Sequence, residues 1–327
     1  MSVKELVKKP VLRKGIGLGA VFIIVQLLLM TGVMNDYYFA TLVTICINII
    51  LASSLNLITG FTGQLSLGHA GFMSIGAYTC AIFMMNVPPG WGVGAFLAGV
   101  LLGAVAAGVV GLLVGLPTLR LRGDYLAIAT LGLSEIIRII MVNLDITNGA
   151  AGLSGVPRFV NWIWLFVFTA GVVLLIANFL NSKHGRACKA IREDEIAADT
   201  MGVNTTRYKV IAFIVGAFSA GIAGALYASY FYVIKPDLFG FLKSVDILVI
   251  VVLGGLGSLS GSILAAILLA VMSSLLQSFA EIRMVLYAVM LVAIMIFRPQ
   301  GLMGSKEISL ALLKKFGKNL TFKKKRV

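Results

Sequence analysis

Asn181 to Lys209 reads NSKHGRACKAIREDEIAADTMGVNTTRYK, the longest strongly polar interval between the two ends of the chain. On either side the sequence is apolar for dozens of residues at a time. A segment this rich in charge cannot lie in hydrocarbon, where unpaired polar groups are costly. It therefore lies outside a membrane, where it meets water or a soluble partner. The flanks decide the class: 59% of the 327 residues are hydrophobic, 12% are charged and the mean hydropathy is +1.01. An ordinary soluble domain carries about 25% charged residues. The chain reads as an all-α polytopic membrane protein, because its apolar runs approach the ~20 residues of a spanning helix rather than the ~10-residue alternation of a β-barrel strand.

Apolar segments run from about 16 to 33, 37 to 59, 66 to 84, 91 to 116, 126 to 142 and 162 to 180 before the polar interval. After it come 210 to 231, 244 to 256, 260 to 278 and 282 to 297, which makes about ten membrane segments. Two are weaker: 66 to 84 opens on Ser66 and His69, and 244 to 256 is short enough for a broken or re-entrant helix. Lys4, Lys8, Lys9, Arg13 and Lys14 precede the first run, which reads as a membrane helix rather than a removed signal peptide.

Basic residues orient the segments. Five lie in the N-terminal tail, two at Arg120 and Arg122, six from Lys183 to Lys209 and nine from Arg298 to Arg326, which together are 22 of the 27 Lys and Arg. The bias follows the positive-inside rule and expects both termini and the large loop in the cytoplasm. It also accounts for the net charge of +14 without nucleic acid. The expected organisation is a cytoplasmic tail at 1–15, a transmembrane domain at 16–298 with a cytoplasmic segment at 182–204 inside it, and a basic cytoplasmic tail at 299–327.

The most unusual membrane sequence is Asn56 to Tyr78, where Gly60, Gly63, Gly68, Gly71 and Gly76 stand beside Gln64, Ser66 and His69. A lipid-facing helix gains nothing from that mixture. Two readings stand: a turn into a closely packed helix, or irregular backbone lining a polar path. Gly254, Gly255 and Gly257 follow a largely β-branched run and permit a second helix break. Glu135 and Arg138, three apart in an apolar helix, share a face and form a candidate membrane ion pair. The segment from Asn143 to Pro157 reads either as a docking surface on the outer side or as an ordinary loop. Cys46, Cys80 and Cys188 have no ligand spacing, and His69 has no nearby acid or nucleophile, so no catalytic or metal site is expected.

Within the polar interval Ser182 is a candidate N-cap. A helix is expected from Ala187 to Met201, with Gly202 as its stop. Its small or apolar set, which includes Ala190, Ala197 and Ala198, fits either a solvated surface helix or insertion into a cleft of a cytoplasmic protein, while Lys189 and Glu193 have i,i+4 spacing.

From Gly185 to Gly202, GRACKAIREDEIAADTMG resembles the cytoplasmic coupling motif of ATP-binding-cassette importer permeases, specifically the branched-chain amino acid permease family in its M-type subunit. Asn56 to Tyr78, Gly254-Gly-Leu-Gly-Ser-Leu-Ser-Gly261 and Arg298-Pro-Gln-Gly-Leu-Met-Gly304 carry the same resemblance. The usual Glu-Ala-Ala core of the motif stands here as Glu193-Asp-Glu-Ile-Ala-Ala198. The resemblance implies that Gly185, Arg186, Ala190, Arg192, Glu193, Glu195, Ala197, Ala198 and Gly202 form the ATPase-coupling element. Gly60, Gly63, Gln64, Ser66, His69, Gly71, Gly254, Gly255 and Gly257 are candidates for the translocation path or its helix breaks.

No Walker A sequence is present, so the chain is read as non-catalytic, with no cofactor bound directly and ATP used by partner ATPase subunits. The resemblance implies a second, related permease subunit, two cytoplasmic ATPase subunits, an extracytoplasmic solute-binding protein and a bacterial inner or plasma membrane. It implies leucine, isoleucine or valine as cargo. Related permeases carry urea or other small solutes, and an ion-coupled secondary transporter with broken helices is the reading from a different class.

Overall fold

With no water available in hydrocarbon, backbone N–H and C=O groups must pair inside their own segment, and the long apolar runs form helices for that reason. The computed structural model describes residues 35–119, 121, 123–276 and 301–304, together with a helical stretch at 22–29 and isolated positions at 19, 31, 285, 289 and 292. In chain order the helices are α1 (Asp36–Asn56), prolonged by a π-helical turn at Leu57–Phe61, α2 (His69–Asn86), α3 (Gly92–Thr118), α4 (Asp124–Asn143) and α5 (Trp162–Asn181). They continue as α6 (Lys183–Glu193), α7 (Glu195–Thr200), α8 (Thr205–Ala228), α9 (Phe241–Gly254) and α10 (Leu259–Leu275). Two-residue strands, β1 (Leu153–Ser154) and β2 (Val233–Ile234), pair antiparallel with Leu153 opposite Ile234.

Among the described residues five helices, not the ten segments expected, are long and apolar enough to cross a membrane: α1 with its π turn, α3, α4, α5 and α8. The physical reasons for the correction are local. The 14 residues of α9 rise about 21 Å, short of the ~30 Å hydrocarbon core. α10 has 17 residues, and the 18 of α2 are diluted by His69, Ser74 and two glycines. The expected segment at 282–297 is described only at 285, 289 and 292 and that at 16–33 only in part, while Arg120, Arg122 and both tails apart from 301–304 lie outside the described residues.

Helices α1 and α8 form the centre, with 72% of their apolar windows buried, whereas α4 and α5 bury 28% and lie at the periphery. Small residues let α8 approach its neighbours closely. A Cβ on Gly224 would collide with the Met73 carbonyl of α2, and one on Gly221 would strike Ala107 of α3. Phe72 and Phe213 fill the space beside this contact edge to face, with ring centroids 5.5 Å apart. Arg192 of α6 approaches both the turn after α1 and the turn after α9, and so brings these turns together at one end of the helices. At the opposite end, β1 and β2 join the α4–α5 and α8–α9 connections.

Candidate functional site

The polar segment folds as two helices rather than the one expected. Ser182 caps α6, accepting from the Gly185 N–H at 3.4 Å. At Asp194 the backbone turns extended, and Asp194 Oδ1 accepts from the N–H groups of Ile196 at 2.9 Å and Ala197 at 3.0 Å. A carboxylate that takes two backbone donors starts a new helix in preference to continuing the old one. Gly202, at φ 83°, then ends the segment. Glu195 Oε1 lies 2.7 Å from Nζ of the buried Lys209, which ties α7 to the first turns of α8.

The segment has two faces. Gly185, Cys188, Ile191 and Ala198 are buried on the inner one, and Gly185 lies so close to the Leu180 backbone that no Cβ fits. Burial pushes the Cys188 thiol above its ordinary pKa, and its Sγ donates to Tyr208 O at 3.8 Å. Arg186, Ala190, Glu193 and Ala197 are exposed on the outer face. Beside them Ile196 and Met201 are 68% and 84% exposed. Met201 ends the helix expected from sequence, whereas Ile196 stands in a largely charged stretch that gives no sign of an exposed apolar side chain.

The inner face rests on the helix breaks. Lys189 Nζ lies 5.7 Å from the centroid of the Phe61 ring, a cation–π contact. The Arg192 guanidinium fills the space where a Cβ of Gly257 would stand. Gly257 has φ 85°, a conformation that glycine adopts without strain. Asn56, fully buried, bridges the two breaks: its Oδ1 accepts from Gly257 N at 2.9 Å, and its Nδ2 donates to Ser258 O at 2.9 Å and Ser262 Oγ at 2.7 Å. Gly60 has no side chain because the Asn56 carboxamide and the Gly257 amide occupy that space. Leu302 N donates to Leu253 O at 2.8 Å, so part of the C-terminal motif joins the same cluster. Gly60, Gly63, Gly254, Gly255, Gly257 and Arg192 are thus brought together from stretches far apart in the chain.

Gln64, Ser66 and His69 form a separate buried group in and just after the extended stretch that enters α2. His69 Nε2 lies 2.7 Å from Ser54 Oγ, and Leu67 N donates to Thr130 Oγ1 at 3.1 Å. Among the described residues the Gln64 carboxamide, Ser66 Oγ and His69 Nδ1 have no hydrogen-bond partner. Gly71 packs on Ser134.

At the opposite end, Arg138 Nε donates to Glu135 Oε2 at 2.7 Å and Nη1 to Asp237 Oδ1 at 3.1 Å. Glu135 Oε1 also accepts from Phe241 N at 3.2 Å, so this cluster holds the start of α9. Among the described residues no group of three or more His, Cys, Asp or Glu could hold a metal.

Sequence reading missed a cavity of about 200 Å³ between α1, α9 and α10, with Lys243 and Asp246 in its wall. The available signal was their three-residue spacing in a short apolar segment.

The family described as branched-chain amino acid transport system / permease component matches residues 37–297. The high-affinity branched-chain amino acid transport system permease protein LivM of Escherichia coli is 39% identical over 292 residues, covering 79% of this chain and 68% of that protein. LivM of Salmonella typhimurium matches at the same identity and coverage. LivH of Escherichia coli, also named a permease protein of the high-affinity branched-chain amino acid system, is 25% identical over 288 residues, covering 79% of this chain and 92% of LivH. No solved structure matches the chain.

Proposed function

The chain belongs to the permease component family of branched-chain amino acid transport systems, and from that premise we propose that it is the M-type membrane subunit of an ATP-driven importer of leucine, isoleucine or valine. The observation that carries the coupling mechanism is the seat of Arg192 against Gly257, where the polar segment meets the broken helix pair α9–α10. The outer face, with Ala190, Glu193, Ile196, Ala197 and Met201, docks on a cytoplasmic ATPase subunit. When the ATPases close, α6 and α7 are pushed, and Arg192 and Lys189 pass the displacement to the ends of α1 and α9. The membrane helices then exchange between outward and inward openings, driven by contacts that differ between the two states.

The end that carries 182–204 faces the cytoplasm, which agrees with the positive-inside bias. The tails at 1–15 and 299–327 lie on the same side of the multi-pass inner-membrane domain at 16–298. The shorter α2, α9 and α10 lie within the membrane, packed against the longer helices. The partners are a related LivH-type permease subunit, two ATPase subunits and an extracytoplasmic solute-binding protein. That protein docks at the end formed by the 143–157 and 229–240 connections.

The test is ATP hydrolysis and leucine uptake in liposomes that hold this chain with its candidate partners, with and without ATP and binding protein, for wild type and Glu193→Lys. Uptake that needs ATP and every partner, with coupling weakened by the substitution, is the expected result. Leucine or urea flux through this chain alone, driven by an ion gradient, would replace the importer with a secondary transporter.

A further inference from the structure

The cavity between α1, α9 and α10 combines features that the helix-break cluster lacks. Lys243 and Asp246, one helical turn apart, both line it, and Lys243 Nζ lies 3.5 Å from Oδ1 of the buried Asn48. The rest of the wall includes Val249, Ile250 and Leu269, and the last two are buried. Here the half-buried Lys243 and the exposed Asp246 stand at one pocket that opens to the surface and has an aliphatic wall. At about 200 Å³ the chamber is smaller than the ~300–1,000 Å³ of pockets for drug-sized ligands, so it suits a small solute.

We propose that this cavity is a substrate site for the zwitterionic head and aliphatic side chain of an α-amino acid. Lys243 takes the carboxylate, Asp246 the ammonium, and Val249, Ile250 and Leu269 the side chain. A neutral solute such as urea has no use for two opposite charges, and an inorganic ion has use for only one. The proposal rests on the importer reading above and adds to it a location for the cargo. That location couples naturally to the rest of the fold. α9 is held at its start by Glu135 on Phe241 N and ends at the turn where Arg192 sits on Gly257. A shift of α6 therefore moves one wall of the chamber relative to Asn48 on α1.

The experiment uses the complete transporter in proteoliposomes, with leucine as the probe and co-purification of the partner subunits as the measure of assembly. Asp246→Asn and Lys243→Met are expected to assemble and to lose leucine uptake by at least about tenfold, the size set by one charged hydrogen bond. Val249→Trp leaves both charges in place, fills the chamber and is expected to give the same loss. That loss sustains the site even where a charge variant fails to assemble. Wild-type uptake by Val249→Trp, or by both assembled charge variants, overturns the proposal. Charge variants that lose the second permease while Val249→Trp transports normally would make this face a subunit contact, and the proposal falls. Wild type with no ATP-dependent uptake is a different failure, that of the importer reading itself.

Discussion

Replacing Asn56 with Leu keeps the branched shape of the side chain, removes the buried carboxamide and severs the bridge between the two helix breaks. Three hydrogen bonds are lost, to Gly257 N, Ser258 O and Ser262 Oγ. Side-chain hydrogen bonds between membrane helices average about 0.6 kcal/mol each, which makes the three worth about 2 kcal/mol. The losses are not equivalent. Ser258 O still accepts from Ser262 Oγ at 3.2 Å, but Gly257 N gives up Asn56 Oδ1 in a site that excludes water. Leaving that donor unpaired adds about 1–3 kcal/mol, so the total is about 3–5 kcal/mol. Ser262→Ala, which removes one of the three bonds, should cost less than about 1 kcal/mol. Amide hydrogen exchange over 254–262 reads the difference directly, since local opening sets its rate. Asn56→Leu should exchange there about 10²- to 10⁴-fold faster than wild type, while Ser262→Ala changes little. Equal protection in the two variants would refute the assignment of Asn56 as the bridge.

Gly257→Ala adds a Cβ into the space of the Arg192 guanidinium and costs about 1–2 kcal/mol at its positive φ, so leucine uptake per ATP hydrolysed should fall; Arg192→Ala should reproduce the loss, and unchanged coupling in both would remove Arg192 from the transmission route. Asp194→Ala removes the cap that starts α7, at a cost of about 1 kcal/mol, and limited proteolysis should then cut within 195–201 sooner than in wild type. The fold holds Cys188 as the neutral thiol with its pKa raised by burial, so its stabilising contribution is complete below the unfolded thiol pKa of about 8.5 and is lost as pH rises towards the higher folded value. Alkylation of Cys188 should accordingly remain slow at neutral pH and accelerate only above the usual thiol range, as a pH series of iodoacetamide labelling would show.

Local chemistry explains how much of this was legible. The apolar run expected at 162 to 180 became Trp162–Asn181, because neither charge nor a break interrupts it. Ser182 was readable as a cap, since capping acts within one turn. The division of the polar segment at Asp194 was not foreseen, because the same residues satisfy an amphipathic pattern whether or not the helix continues. Nor did the pattern show that Gly185 and Ala198 face inward while Ile196 faces water. Gln64, Ser66 and His69 stood out by composition, yet the structure buries them apart from the chamber that holds Lys243 and Asp246.

By itself the sequence determined the membrane class, the boundaries of the described apolar helices to within a few residues, the polar segment and the family resemblance. All of these depend on the identity and spacing of near neighbours, which lipid and water sort by polarity. Only the tertiary structure decided that Asn56 meets Gly257, that Arg192 rests on the same glycine, and that Asn48 and Lys243 share a cavity. Those pairs are separated by 201 residues for Asn56–Gly257 and 195 for Asn48–Lys243. In lipid both faces of a helix can be apolar, so periodicity carries little of the information that selects its neighbours. Close packing and the need to pair buried polar groups make that selection.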